Sequence, residues 1–417
     1  GADRLPRAIG PIASVAIPAG AFAALDFVRV NIDPGGLWGP LFLSQHGSDP
    51  AALAALGGPW LVSFAIAASG YAIALLTLAF AATAGIRGAD AGSGARPRFA
   101  APATAIATLA MIFLAIVGGL AVERSGGRSV TVAAVQPGYD TAEEDRPQTR
   151  HHERGTYDLA ALDLIRDMSP LTRGAAEAGA ELVVWPEAVV WVDPTSGSRV
   201  RAALGGLARD AGAAIVVPYF IRDLDQGQTI AVLPEGGFTD MQPKQRPMWF
   251  LGENGDNRIP PRPVAAGPVM LGTMLGVDNQ GPRLARRLAD GGAELLASST
   301  HDWERLAGAQ RAFAAINAGS TGTPLVRADW RYGSAIYAAD GEIVADAGEG
   351  LRRTVVTGTV RVAGGSTPYT SIGDALGWGF LALSCAAGAA GFLARRRFGG
   401  IASTPRRPGP RLGRPNP

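Results

Sequence analysis

Two kinds of patterning divide the chain. Long apolar runs fill residues 8–25, 59–86, 99–122 and 375–394, and none of them holds a charged side chain. A helix needs about 20 apolar residues to cross a bilayer, because its backbone groups must bond internally there. Buried helices of soluble proteins rarely run so long without charge, so the four runs read as membrane spans. Pro11 and Pro18 are expected to kink the first. From Ser129 onward the pattern shortens and alternates. Strands are expected at 130–135, 181–185, 214–219, 229–233, 269–275, 294–297, 325–328, 334–338, 342–345 and 354–361. Helices are expected at 157–178, with a break or kink at Pro170, and at 200–211, 282–290 and 303–319. Strand and helix in alternation mean an α/β fold, a sheet covered by helices.

Composition sharpens this picture. Of 417 residues, 47% are apolar and 18% charged, with a formal net charge of +2 and a mean hydropathy of +0.14. That balance excludes disorder and argues against a purely soluble enzyme. It also argues against a nucleic-acid binder, which needs a basic footprint. A single cysteine excludes a disulfide framework or thiolate cluster, and four histidines leave little for a metal site. Arginine placement predicts orientation. Arg4 and Arg7, then Arg87, Arg96 and Arg98, then Arg395, Arg396 and Arg397 flank the spans, whereas 30–58 has no Lys or Arg. The expected organisation is therefore a membrane region at 1–125 and an outside α/β domain at 128–366. A last span at 375–394 and a basic, Pro-rich cytoplasmic tail at 395–417 follow. The chain opens at Gly1 without Met, and earlier spans are expected to precede it.

Few residues carry candidate chemistry. Glu187 follows Val183-Val184-Trp185-Pro186, just past a buried strand. There partial desolvation can raise its pKa toward general-base work, although such a residue can equally be an ordinary loop carboxylate. Lys244 is the only lysine in the chain. A lysine is usually solvent decoration; this one stands alone among arginines, and a compact ammonium can stabilise an oxyanion. Gly205-Gly206 and Gly291-Gly292 lack the Gly-Lys-Ser/Thr of a phosphate loop. His151-His152 reads as a solvated loop, and Asp223 and Asp225 as turn residues. No metal or other cofactor is expected.

The opening run to Gln136-Pro137 and the Trp185-Pro186-Glu187 segment resemble the start of a carbon–nitrogen hydrolase (nitrilase superfamily) domain. Pro243-Lys244-Gln245-Arg246, followed by Leu251-Gly252-Glu253, is similar to that family's Lys-Arg-His…Phe-Gly-Glu stretch, with Glu253 nine residues after Lys244 where eight are expected. Ser44-Gln45…Gly57-Gly58-Pro59-Trp60 and Thr367-Pro368-Tyr369…Gly373-Asp374 resemble the apolipoprotein N-acyltransferases. Ser299-Thr300-His301-Asp302-Trp303 falls where they read Asn-Asp-x-Trp, and only Trp303 is kept. The resemblance implies a nitrilase-like four-layer αββα sandwich flanked by transmembrane helices in the plasma membrane, with the hydrolase-like domain extracytoplasmic and the protein a monomer. It further implies ping-pong transfer of an acyl chain from a phospholipid donor to the N-terminal amine of a lipoprotein acceptor. In that scheme a Cys thiolate attacks the ester, Glu187 is the base and Lys244 stabilises the tetrahedral intermediate. Glu253, Asp278 and Trp303 would support them.

The family's nucleophile lies in Gly-x-x-x-Cys-Tyr-Glu, six residues before a Pro. Here the matching run is Gly272-Thr273-Met274-Leu275-Gly276-Val277-Asp278, with Pro282 downstream. The nucleophile position is Gly276, which has no side chain to attack with. Cys385 lies in an expected span, where a thiol forms little thiolate. Thr273, Ser298 and Ser299 are nearby hydroxyls, with Thr273 turned away by strand parity. Two readings stay open. One is an enzyme in which Glu187 activates an amine or water directly. The other is a non-catalytic relative that binds lipid or lipoprotein, or scaffolds a partner enzyme.

Overall fold

In the computed structural model, alternate residues of each central strand go to different layers, and this parity sets the architecture. The structure describes residues 9–32, 39–84, 100–122, 127–138, 157–187, 190–193, 198–221, 224–255, 259–348, 350 and 352–399. Arg4, Arg7, Arg87, Arg96, Arg98, His151-His152, Asp223 and the tail from residue 400 lie outside them.

Strand β1 (Arg128–Gln136) pairs in parallel with β2 (Leu182–Val184), and β2 with β3 (Ala214–Ile221). β4 (Gln226–Val232) and β5 (Gln242–Pro243) extend this sheet antiparallel. The second sheet places β7 (Val269–Leu275), β8 (Leu295–Thr300) and β9 (Leu325–Asp329) in parallel at its centre. β6 (Val264–Ala266) flanks one side, and β10 (Ala335–Tyr337) and β11 (Ile343–Asp346) the other, all antiparallel. β12 (Thr354–Val362) returns to the first sheet and pairs antiparallel with β1. The strand orders are β12-β1-β2-β3-β4-β5 and β11-β10-β9-β8-β7-β6. Most residues of the parallel strands are buried, as in strands covered on both faces.

Val130, Val132 and Ala134 of β1 point into the inter-sheet core with Leu271, Leu295, Ala297, Val326 and Ala328. Ala133 and Val135 point the other way, onto helices α5 (Tyr157–Glu177) and α6 (Ser198–Ala211) through Leu164, Met168, Leu204 and Leu207. In the second sheet Met274, Leu296 and Leu325 meet α7 (Pro282–Asp290) and α8 (Glu304–Thr321) through Leu284, Leu288 and Ala314. The layers therefore run helix, sheet, sheet, helix. Pro170 sits inside α5 without ending it.

Four further helices carry the apolar runs: α1 (Ile9–Asn31), α3 (Pro59–Thr83), α4 (Ala100–Leu120) and α10 (Ala375–Gly399). Each is long and apolar enough to cross a bilayer. They expose large apolar side chains such as Phe80, Phe113, Leu114 and Phe392, as a lipid-facing surface would. The short helices α2 (Leu53–Gly57) and α9 (Pro368–Ile372) join this bundle to the sandwich. The first run corrects the expectation at its end. α1 continues through Pro18 and on to Asn31, past Asp26. Asp26 is tolerated because Ser63 Oγ and the Leu41 amide both donate to its Oδ2 at 2.7 Å, with Arg29 3.5 Å from the other oxygen.

Candidate active site

Glu187 is gripped by both sheets. It follows β2, where the Trp185 indole donates to Thr172 Oγ1 of α5 at 3.0 Å. The Glu187 amide donates to the Thr300 carbonyl at the end of β8, 3.3 Å away. Its own carbonyl accepts from the Trp330 indole in a close contact. The Glu187 side chain is only 17% exposed.

Lys244 enters from the sheet edge. Pro243 of β5 is in register with Gln228, and the Lys244 amide donates to the Gly227 carbonyl at 2.9 Å. Gly227 makes room for the lysine stem, since a Cβ there would stand 3.3 Å from Lys244 Cδ and 3.0 Å from Leu275 Cδ2. The buried ammonium donates to Glu187 Oε1 at 3.0 Å and to Glu253 Oε1 at 2.9 Å. Between Lys244 and Glu253 the chain makes a 3-10 turn over Trp249–Leu251 and passes Gly252 at φ +85°. The Met248 amide then fixes Glu253 Oε2 at 2.7 Å.

At the end of β7 the chain turns sharply through a 3-10 segment, Gly276–Gln280. Asp278 ties that elbow to the lysine loop by accepting the amides of Gln245, Arg246 and Leu275 at 2.7–3.1 Å. Asn317 Nδ2 of α8 donates to the Asn279 carbonyl at 2.7 Å. Gly276 itself has φ +56°, and a Cβ built on it would lie 2.5 and 2.7 Å from the two Glu187 carboxylate oxygens. The side-chain volume absent at 276 is thus taken up by the Glu187 carboxylate.

Burial pushes the Glu187 pKa up, opposed by Lys244 and reinforced by Glu253. Burial likewise raises Asp278, against its backbone hydrogen bonds and Lys244. For Lys244 burial acts downward, but the Glu187 and Glu253 carboxylates outweigh it and the pKa rises. The site therefore keeps a charged ammonium held by Glu253 and Glu187.

The structure brings Glu187, Lys244, Glu253, Gly276 and Asp278 together. Trp303 is not in this bonded group: its backbone opens α8 and its side chain is 59% exposed. Ser298 shares the face of β8 that carries Leu296 toward α7 and α8. Neither Ser298 nor Ser299 hydrogen-bonds Glu187 or Lys244 among the described residues. Cys385 sits within α10. Among the described residues no group of His, Cys, Asp and Glu could hold a metal ion.

Other residues brace the neighbourhood of the site. Arg327 is fully buried, in close contact with Asp302 and 3.4 Å from Asp329, and donates to the Tyr332 and Gly333 carbonyls. Burial pushes Asp302 up to about 7 against Arg327. Thr300 Oγ1 and the Asp302 amide both donate to Asp329 Oδ2 at 2.9 Å, which fixes the turn that receives the Glu187 amide. Arg246 reaches the other way, donating Nη2 to the Val30 carbonyl in the last turn of α1 at 3.1 Å. The lysine loop is thereby pinned at the end of an apolar helix, and Trp249, Phe250 and Leu251 on it are exposed.

Residues 131–367 match the carbon-nitrogen hydrolase family, more than half of the chain, and the protein belongs to that family. Its fold is the nitrilase α/β sandwich of two sheets with helices. Solved structures similar to it include the carbon-nitrogen hydrolase from Helicobacter pylori G27, at 15% identity over 66% of this chain and 96% of that one, TM-score 0.45. An amidase from Nesterenkonia sp. AN1, in a mutant showing Michael addition of acrylamide at its active-site cysteine, matches at 18% identity over 55% and 92%, TM-score 0.44. A cysteine-to-serine mutant of the same nitrilase-superfamily amidase matches at 21% over 55% and 90%, TM-score 0.43. No curated protein sequence matches the chain.

Proposed function

We propose that this protein is an apolipoprotein N-acyltransferase-like membrane protein that has lost the covalent acyl-enzyme step and acts by binding lipid or lipoprotein. One observation carries the reading: the elbow after β7, where the resemblance would put a nucleophile, has glycine at 276, and its Cβ site is filled by the Glu187 carboxylate. A nucleophilic relay that loses its attacking atom loses on the order of a million-fold in rate. In the remaining network the Lys244 ammonium is shared between the Glu187 and Glu253 carboxylates. The lipid-facing part of the reading draws on Arg246 at the end of α1 and on the exposed Trp249, Phe250 and Leu251 beside Lys244. Both lipid substrates of such a reaction would approach from the bilayer surface.

The raised pKa of Glu187 favours a second reading, in which that carboxylate activates water or an amine directly. One experiment separates them. The detergent-solubilised protein is incubated with phospholipid, followed by intact mass and by release of fatty acid. The binding reading expects no acyl adduct and no release above a Glu187→Gln control. Release without an adduct supports direct attack, and an acyl adduct on any residue overturns both.

A further inference from the structure

Away from the charged centre, α7 presents Arg283, Arg286 and Arg287 along one stripe, at helical spacings of three and four. The first two have different fates. Arg283 Nε donates to Asp374 Oδ2 at 2.9 Å. The other oxygen of Asp374 accepts the Trp60 indole at 2.9 Å and the Tyr369 hydroxyl at 3.1 Å, so three donors already hold this carboxylate. Among the described residues no salt bridge joins Arg286 to a carboxylate. Its Nε is buried without a hydrogen-bond partner. Its guanidinium lies close to Gly373, where a Cβ would stand 3.3 Å from Cζ and 3.5 Å from Nη1.

The place of this cation matters. Gly373 ends α9, and α10 begins two residues later. Trp60, on the same Asp374 knot, is the second residue of α3. Arg286 therefore stands where two apolar helices emerge from the hydrocarbon on the sandwich side. One turn into α10, Trp378 is 57% exposed and packs edge-on against Phe27 at 5.0 Å. Tryptophan and arginine together mark the headgroup layer of a bilayer. The anion abundant at that depth is a phospholipid phosphate, and a guanidinium fork suits it.

We propose that Arg286, with Arg283 beside it, binds the phosphate of a membrane phospholipid at the junction of α7, α9 and α10. The site is independent of the Gly276 centre, and its lipid is retained whether or not any acyl chemistry survives.

The test uses the full chain, delipidated in detergent, with dioctanoyl phosphatidylglycerol as the probe and native mass spectrometry as the readout. The wild type is expected to hold a lipid that Arg286→Gln binds about tenfold more weakly, while Arg199→Gln on α6 leaves binding unchanged. Inorganic phosphate at equal concentration is expected not to displace it. Equal binding by wild type and Arg286→Gln overturns the proposal, and so does displacement by inorganic phosphate, which marks a soluble-anion site. If Arg286→Gln fails to fold, Arg286→Lys decides. It keeps the charge and loses the fork, so weaker binding supports the site and unchanged binding overturns it.

Discussion

At residue 276 two constraints act in the same direction. The backbone φ of +56° lies in the left-handed region, where a Cβ costs roughly 1–2 kcal/mol. The space a Cβ needs is already held by the Glu187 carboxylate, which in turn is held by Lys244. A side chain here must push Glu187 off its ammonium, leaving a buried pair badly matched. Gly276→Ala is therefore expected to destabilise the protein by about 2 kcal/mol. Thermal unfolding in detergent checks this, and an unchanged midpoint would mean that Glu187 moves aside freely. Glu187, Lys244 and the glycine at 276 were legible in the sequence because each sits in a short motif with a fixed spacing. The carboxylate filling the gap was not, because only folding brings residue 187 across to residue 276. Trp330 was equally invisible: it follows β9 with no local mark, yet its indole holds the Glu187 carbonyl.

At the scale of elements, Asp374 fastens the sandwich to the apolar helices. It opens α10 and accepts from Trp60 on α3, Tyr369 on α9 and Arg283 on α7. Since α7 follows directly on the Gly276–Gln280 elbow, this carboxylate also sets where the elbow sits relative to the bundle. Asp374→Asn keeps an acceptor but loses the charge opposite Arg283, a partner that is 35% exposed and so partly screened. A loss of about 1–3 kcal/mol is expected. In a double-mutant cycle with Arg283→Gln the two losses should be non-additive; strict additivity in thermal unfolding would show that the pair is not coupled. Periodicity found the long strands and helices because their buried faces repeat. It missed β5 and β6, short edge strands set by pairing with β4 and β7 rather than by a local pattern. It also ended the first apolar run too early, because hydropathy registers the charge of Asp26 but not the hydroxyl and amide that satisfy it.

For the whole molecule, the direction in which the four apolar helices thread a bilayer is set by charge at their ends. α1 and α3 are joined by a segment, 30–58, without Lys or Arg, and its described turns at Leu41–Gln45 and Asp49–Ala52 pack against α8 of the sandwich. The segment between α3 and α4 carries Arg87, Arg96 and Arg98, and the segment after α10 begins Arg395-Arg396-Arg397. Arginines near span ends are retained in the cytoplasm, so the sandwich is expected outside. The chain offers a clean test, because Cys385 is its only cysteine. In a Cys385→Ser background, Glu342→Cys places a thiol on an exposed turn of the sandwich, between β10 and β11. Ser403→Cys places one beyond the arginine cluster. A membrane-impermeant maleimide added to intact cells should label position 342 at once and position 403 only after the membrane is opened. The reverse pattern would put the sandwich, and with it the lysine loop, on the cytoplasmic face. Lipid reaching Lys244 would then have to come from the inner leaflet.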